Sequence, residues 1–218
     1  MTPFTIMDCA LLTRMSGLPP AFNLREFRDR IAACGQETLY HHFCESSLRA
    51  SFDNPEYRND FAVWAKQSIG DRVLAERLGI LDPYEFENME ELRAVVHEIL
   101  DERLAELSPW VPTARPGNEM FFMQATTVAF DTGQRIAHPS QLAQSIRDMT
   151  IGSIHYHFLE GLRRPPLHED DFTAWLKDYP GDWSAYTGAI GSIDFYFHTL
   201  AGLREVLSQT LDAIGIVP

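Results

Sequence analysis

Displaced by 111 residues, the stretch 60–101 overlies 171–212 with 12 identities in 42 ungapped positions. Asp60, Phe61, Trp64, Lys66, Gly70 and Asp71 fall on Asp171, Phe172, Trp175, Lys177, Gly181 and Asp182, and Phe86, Leu92, Arg93, Val95, Leu100 and Asp101 fall on Phe197, Leu203, Arg204, Val206, Leu211 and Asp212. The chain has only two lysines, and they coincide. At a displacement of 115, "LYHHF" overlies "IHYHF", placing His42, Phe43 and Glu45 on His157, Phe158 and Glu160. The change of displacement falls in "SFDNPEYRN" and "PPLHED", where Pro, Asn and Asp mark loops and loops absorb length changes. A chain that repeats itself this way is expected to build two related units. The expected division is 1–108 and 119–218, joined by a proline-rich linker at 109–118 and packed as one globular body about a pseudo-two-fold axis, as a homodimer would be.

Within each half the periodicity predicts a mainly α (α+β) fold, with a short strand or hairpin per repeat. "FTIMDCALL" and "FFMQATTVAF" are strand-capable, and the strands are expected to meet each other or form local hairpins at the centre. Asn23 reads as the cap of a helix carrying Leu24, Phe27 and Ile31 on one face, and Ser140 as the cap of its counterpart. Thr38 and Ser153 read as capping residues of the histidine helices. Asp60 and Asp171 precede Phe/Trp stripes in the manner of N-caps. After Asp71 a helix with Val73, Leu74 and Leu78 inward is expected, ending at Gly79. Leu92, Val95, Val96, Ile99 and Leu100 define a final helix, as do Leu203, Val206, Leu207 and Leu211.

Composition narrows the setting. With 31 acidic against 18 basic residues and a net charge of -13, the surface repels phosphate backbones, so neither nucleic acid nor an anionic membrane is expected as a partner. No apolar run approaches the roughly 20 residues of a membrane span, and the N-terminus does not read as a signal peptide. Cys9, Cys34 and Cys44 are odd in number and lack C-x-x-C spacing, which predicts free buried thiols in a reducing cytoplasm.

Two readings compete at the histidines. On a helix, His42 with Glu45 and His157 with Glu160 share a face, and a two-fold axis nearby would gather four ligands suited to a divalent transition metal, with His41 and His155 as additions. Alternatively the rings pack in the core and hydrogen-bond a carbonyl or a carboxylate such as Asp60 or Asp171. Trp64 and Trp175 likewise read either as core or as the wall of a pocket for a sugar or aromatic ligand with an acid at its rim. Arg49, Arg163 and Arg164 could clamp a carboxylate or phosphate, or pair with surface acids. "LHEDDF" around His168 reads as a solvated turn. There is no phosphate-binding glycine loop and no G-x-S-x-G elbow.

At Cys9, Asn23 to Glu26, Leu39-Tyr40 with His42, Asn59 to Ala62 with Trp64, Leu74 to Glu76, Asp82, Phe86 and Leu92-Arg93, the chain resembles an uncharacterised bacterial domain-of-unknown-function family, in tandem. The second half matches at Ile154 to Phe158, Asp171 to Trp175 and Leu203-Arg204, and departs from the family's "L-A-E" at Ser184 to Tyr186. Such domains are often encoded near glycosyltransferases, so the resemblance implies an accessory role around sugar metabolism and no specific reaction. The expectation is a non-catalytic accessory or binding protein with a groove shared between repeats, for a small-molecule or protein partner, and with oligomerisation open. The alternatives are a metal-dependent enzyme at His42, Glu45, His157 and Glu160, and a cofactor-free binder or enzyme whose pocket is lined by His41, His42, His155, His157, Trp64 and Trp175.

Overall fold

The computed structural model describes residues 2–48, 57–165, 168–195 and 198–215; Arg49 and Phe197 lie outside them. The fold is mainly helical with one two-stranded antiparallel sheet, β1 (Phe4–Met15) and β2 (Met123–Ile136). The strands expected from the apolar runs do pair with each other, and both are longer than those runs. The chain forms two compact units, Leu12–Thr126 and Met1–Leu11 with Thr127–Pro218. These units do not follow a cut near residue 108: the first eleven residues belong with the C-terminal helices, and 115–126 with the N-terminal ones.

The Leu12–Thr126 unit holds α1 (Leu24–Ala33), α2 (Gln36–Tyr40), α3 (Asp60–Gln67), α4 (Arg72–Gly79) and α5 (Met89–Leu107). Asn23 caps α1 by accepting from Glu26 N–H, as its type and position predict. Asn88 caps the long α5 with bonds from Glu90 and Glu91 N–H. Phe27 of α1, Phe61 of α3 and Phe122 before β2 are fully buried and in ring contact. Each such side chain contributes about 1.5–3 kcal/mol of burial. Leu92, Val96 and Leu100 form the inward stripe of α5. On α4 the inward face is Leu74, Ala75 and Leu78, while Val73 is 44% exposed. The expectation for Val73 fails because it is adjacent to Leu74, and a 100° step per residue carries it off the stripe. The expected linker is partly structured: Ala114 is buried, and its N–H bonds to Phe22 O.

The other unit holds α6 (Leu142–Asp148), α7 (Ile151–Ile154), α8 (Glu160–Arg163), α9 (Asp171–Asp178), α10 (Ser184–Gly191) and α11 (Leu200–Gly215). Its core includes Phe4 and Ile6 of β1, Phe172 of α9, and Leu203, Leu207 and Leu211 of α11. Ser140 does not cap α6; it sits in a short turn, Pro139–Gln141, whose His138 side chain accepts from Ser140 N–H. Thr150 rather than Ser153 caps α7, its Oγ1 accepting from Ser153 N–H, and Thr38 lies buried inside α2. Gly152 lets β1 approach α7 closely. A Cβ there would lie 2.6 Å from Cys9 O, and the Cys9 thiol reaches Gly152 O at 3.3 Å. All three cysteines are buried and none forms a disulfide with another. No helix among the described residues is long and apolar enough to cross a membrane.

Candidate functional site

The histidine segments are not regular α-helix. The backbone widens into π-helical turns at His41–Glu45 and His155–Leu159, directly after α2 and α7. Such turns are rare and occur frequently at functional sites. Here they turn His42 and His157 toward a strand. His157 is 2% exposed. Its Nδ1 lies 2.7 Å from Asp171 Oδ2, and its Nε2 accepts from Met7 N–H at 2.8 Å. His42 is 1% exposed, with Nδ1 2.7 Å from Asp60 Oδ2 and Nε2 accepting from Met123 N–H at 2.9 Å. An amide N–H can be accepted only by a nitrogen that carries a lone pair, so Nε2 is bare and the ring proton sits on Nδ1, donated to the aspartate. Each ring therefore fastens one strand amide to one helix start.

The aspartates can do this because they are not the caps. Asn59 caps α3, accepting from Ala62 N–H and donating to Leu78 O. Asp170 caps α9, accepting from Thr173 N–H. The cap falls one residue before the expected Asp60 and Asp171, which then point their carboxylates at the imidazoles. In "LHEDDF", His168 is exposed as a solvated turn requires, but Asp170 is 5% exposed, and burial pushes its carboxyl above the usual range. Gly161 matches this tight junction, since a Cβ there would sit 3.0 Å from Asp170 Cα.

The candidate residues divide between the units. His41, His42, Glu45 and Trp64 belong to Leu12–Thr126, while His155, His157, Glu160 and Trp175 belong to the other. His41 is fully buried with Nδ1 3.0 Å from Glu45 Oε2. His155 Nε2 lies 3.9 Å from Glu160 Oε1. Burial raises the Glu160 carboxyl's pKa, against the lowering pull of Arg163 and Arg164. With both nitrogens engaged, neither His42 nor His157 can ligate a metal unless its strand contact breaks. Among the described residues, no three His, Cys, Asp or Glu side chains are grouped to hold an ion.

One unit opens a cleft beside its histidine. A cavity of about 470 Å³ is lined by Phe4, Tyr156, Arg164, Asp171, Trp175 and Tyr179, among others. Trp64 is buried in its own unit, its indole N–H bonded to Asn118 O. Trp175 is only partly buried, bonds Thr2 O at 3.3 Å and packs on Tyr179 with ring centroids 5.3 Å apart. Arg164 lies 4.5 Å over the Tyr156 ring. Its Nη2 donates to Asp171 Oδ2 at 2.7 Å and to Tyr156 O at 3.0 Å. Arg164 thus pairs with an acid of its own chain, the second of the two readings the sequence left open. Tyr179 and Asp178 were not singled out from sequence, although Trp175 and Tyr179 are four apart, a spacing that would have put both on one helical face.

No curated protein matches the chain. The solved structure of OrfY from Thermoproteus tenax is similar, with a TM-score of 0.75 at 22% identity over 97% of this chain and 95% of that one, which shows a shared fold. The model of a family of unknown function, DUF5752, matches residues 1–212, from β1 through the histidine turns to α11. The chain belongs to the DUF5752 family.

Proposed function

We propose that this is a non-catalytic binding protein that takes a small molecule in the Trp175 cleft. The observation carrying this reading is that His157, the titratable ring at the cleft, has both nitrogens committed, to Asp171 and to Met7 N–H. A general acid or base needs a nitrogen free to reach the substrate. What the cleft offers instead is an aromatic wall and a few fixed polar groups, the usual make-up of a binding pocket. The same hydrogen bonds weigh against a divalent metal on His42, Glu45, His157 and Glu160.

We also infer that the chain is a tandem copy of one unit. The matched π-turns, the matched His–Asp pairs and the matched strand amides at Met7 and Met123 support this. The copies then differ in role, because Trp175 lines a cleft while its counterpart Trp64 is buried. The test is a thermal-shift survey of small polar metabolites against the wild type and Trp175→Ala. A compound that binds only the folded state raises Tm. The reading expects at least one shift that Trp175→Ala abolishes and Trp64→Phe retains. Shifts that survive Trp175→Ala, or none across the survey, would refute it.

A further inference from the structure

The polar groups of the cleft are specific about charge. Asp171 Oδ2 is shared by His157 and Arg164, while its Oδ1 makes no hydrogen bond to any described residue. Arg164 uses Nη2 for both of its bonds and leaves Nη1 unengaged among the described residues. A free acceptor and a free donor thus lie on the two partners of one 2.7 Å ion pair. Both residues line the cleft, whose wall includes Trp175 and Tyr179. An anionic ligand placed here meets Asp171 and Asp178, and a cationic one meets Arg164. His157 adds no charge, because its Nε2 must stay bare to hold Met7 N–H. The ligand that satisfies an adjacent donor and acceptor without net charge is one whose neighbouring groups each donate and accept, a vicinal diol. An apolar face on the same molecule would cover the aromatic wall. A ring with both features is a neutral sugar. The volume of about 470 Å³ suits one or two sugar rings and falls within the range of small-molecule pockets.

Resting on the proposal that the Trp175 cleft is a binding site, we infer that its ligand is a neutral carbohydrate, held by stacking on Trp175 and Tyr179 and by a diol bridging Asp171 Oδ1 and Arg164 Nη1. The test is calorimetric titration of the full chain with glucose and maltose (neutral), glucose 6-phosphate (anionic) and spermidine (cationic), each at millimolar concentrations. The inference expects saturable binding of glucose or maltose. Trp175→Ala should weaken it about tenfold or more, and so should Arg164→Met, which keeps an unbranched apolar stem but removes the guanidinium donors; a tenfold loss is the size expected for one anchoring contact. Circular dichroism and Tm check that both variants fold, and Trp64→Phe serves as a control that leaves the cleft intact. Tighter binding of glucose 6-phosphate or spermidine, lost in Trp175→Ala, would overturn the carbohydrate assignment while leaving the binding site standing. Silence from all four probes, alongside a Trp175-dependent hit in the metabolite survey, would also overturn it. Silence in both experiments would instead remove the binding site itself.

Discussion

Replacing His157 with Phe isolates what the imidazole's two hydrogen bonds contribute, because the new ring can still pack on Phe4 and Phe172, now 4.7 and 5.7 Å away. The substitution leaves Met7 N–H without its acceptor on a part-buried stretch of β1. An unsatisfied donor of this kind costs about 1–3 kcal/mol. The second loss, from Nδ1 to Asp171, is smaller, since that carboxylate keeps Arg164 and is 29% exposed at its side chain. A further loss of about 0.5–1 kcal/mol is a reasonable allowance for it. The sum is about 1.5–4 kcal/mol, read as a lower urea midpoint with little change in slope. Amide exchange localises the effect: Met7 should lose protection while Met123, fastened by His42, keeps it. The converse variant, His42→Phe, should release Met123 and spare Met7. A loss below about 0.5 kcal/mol, within the range of an ordinary surface substitution, together with unchanged Met7 protection, would show that the imidazole does not hold the strand.

Gly152→Ala should destabilise by about 1–3 kcal/mol, the usual cost of overpacking, because the new methyl meets Asp8 and Cys9 O of β1; a urea titration checks it. Asn59→Ala removes both the α3 cap and the bond to Leu78 O, for an expected loss of about 1–2 kcal/mol by the same measurement. Asp170→Asn should keep the α9 cap, as Asn59 does for α3. The folded pKa of Asp170 is raised by burial, so its charge penalises the fold above that pKa, and the penalty vanishes below the unfolded value of about 3.9. The Asn variant should therefore match or exceed wild-type Tm at neutral pH and lose that advantage on acidification.

Much of this architecture could be read from the residues, and the failures have local causes. The helical stripes of α1, α5 and α11 were legible because burial on one side of a helix imposes its period on the sequence. The starts of α3 and α9 were misplaced by one residue because Asn59-Asp60 and Asp170-Asp171 each offer two adjacent residues able to cap. Only the distant imidazole decides which of them faces outward. The π-helical turns leave no compositional trace, so the direction in which His42 and His157 point was not available in advance. Nor was the exchange that places Met1–Leu11 with the C-terminal helices, since strand pairing across more than a hundred residues depends on tertiary geometry rather than local pattern. The packing reading of the histidines named Asp60 and Asp171 as partners, and these are the observed bonds. The strand amides on the opposite nitrogens were missed because a backbone N–H has no signature in side-chain sequence. For the cleft, Trp175 was named as a pocket wall, but its symmetry with Trp64 concealed that only one of the two is open.

The tautomers of His42 and His157 test the central claim most directly. Long-range proton–nitrogen correlation spectra of the imidazoles at neutral pH, assigned by His42→Phe and His157→Phe, report which ring nitrogen carries the proton. Both rings should be neutral, protonated at Nδ1 and bare at Nε2, where Met123 and Met7 N–H are accepted. Rings protonated at Nε2, or exchanging freely between the two forms, would contradict the claim that these histidines fasten the strands and would return them to the list of groups available for chemistry.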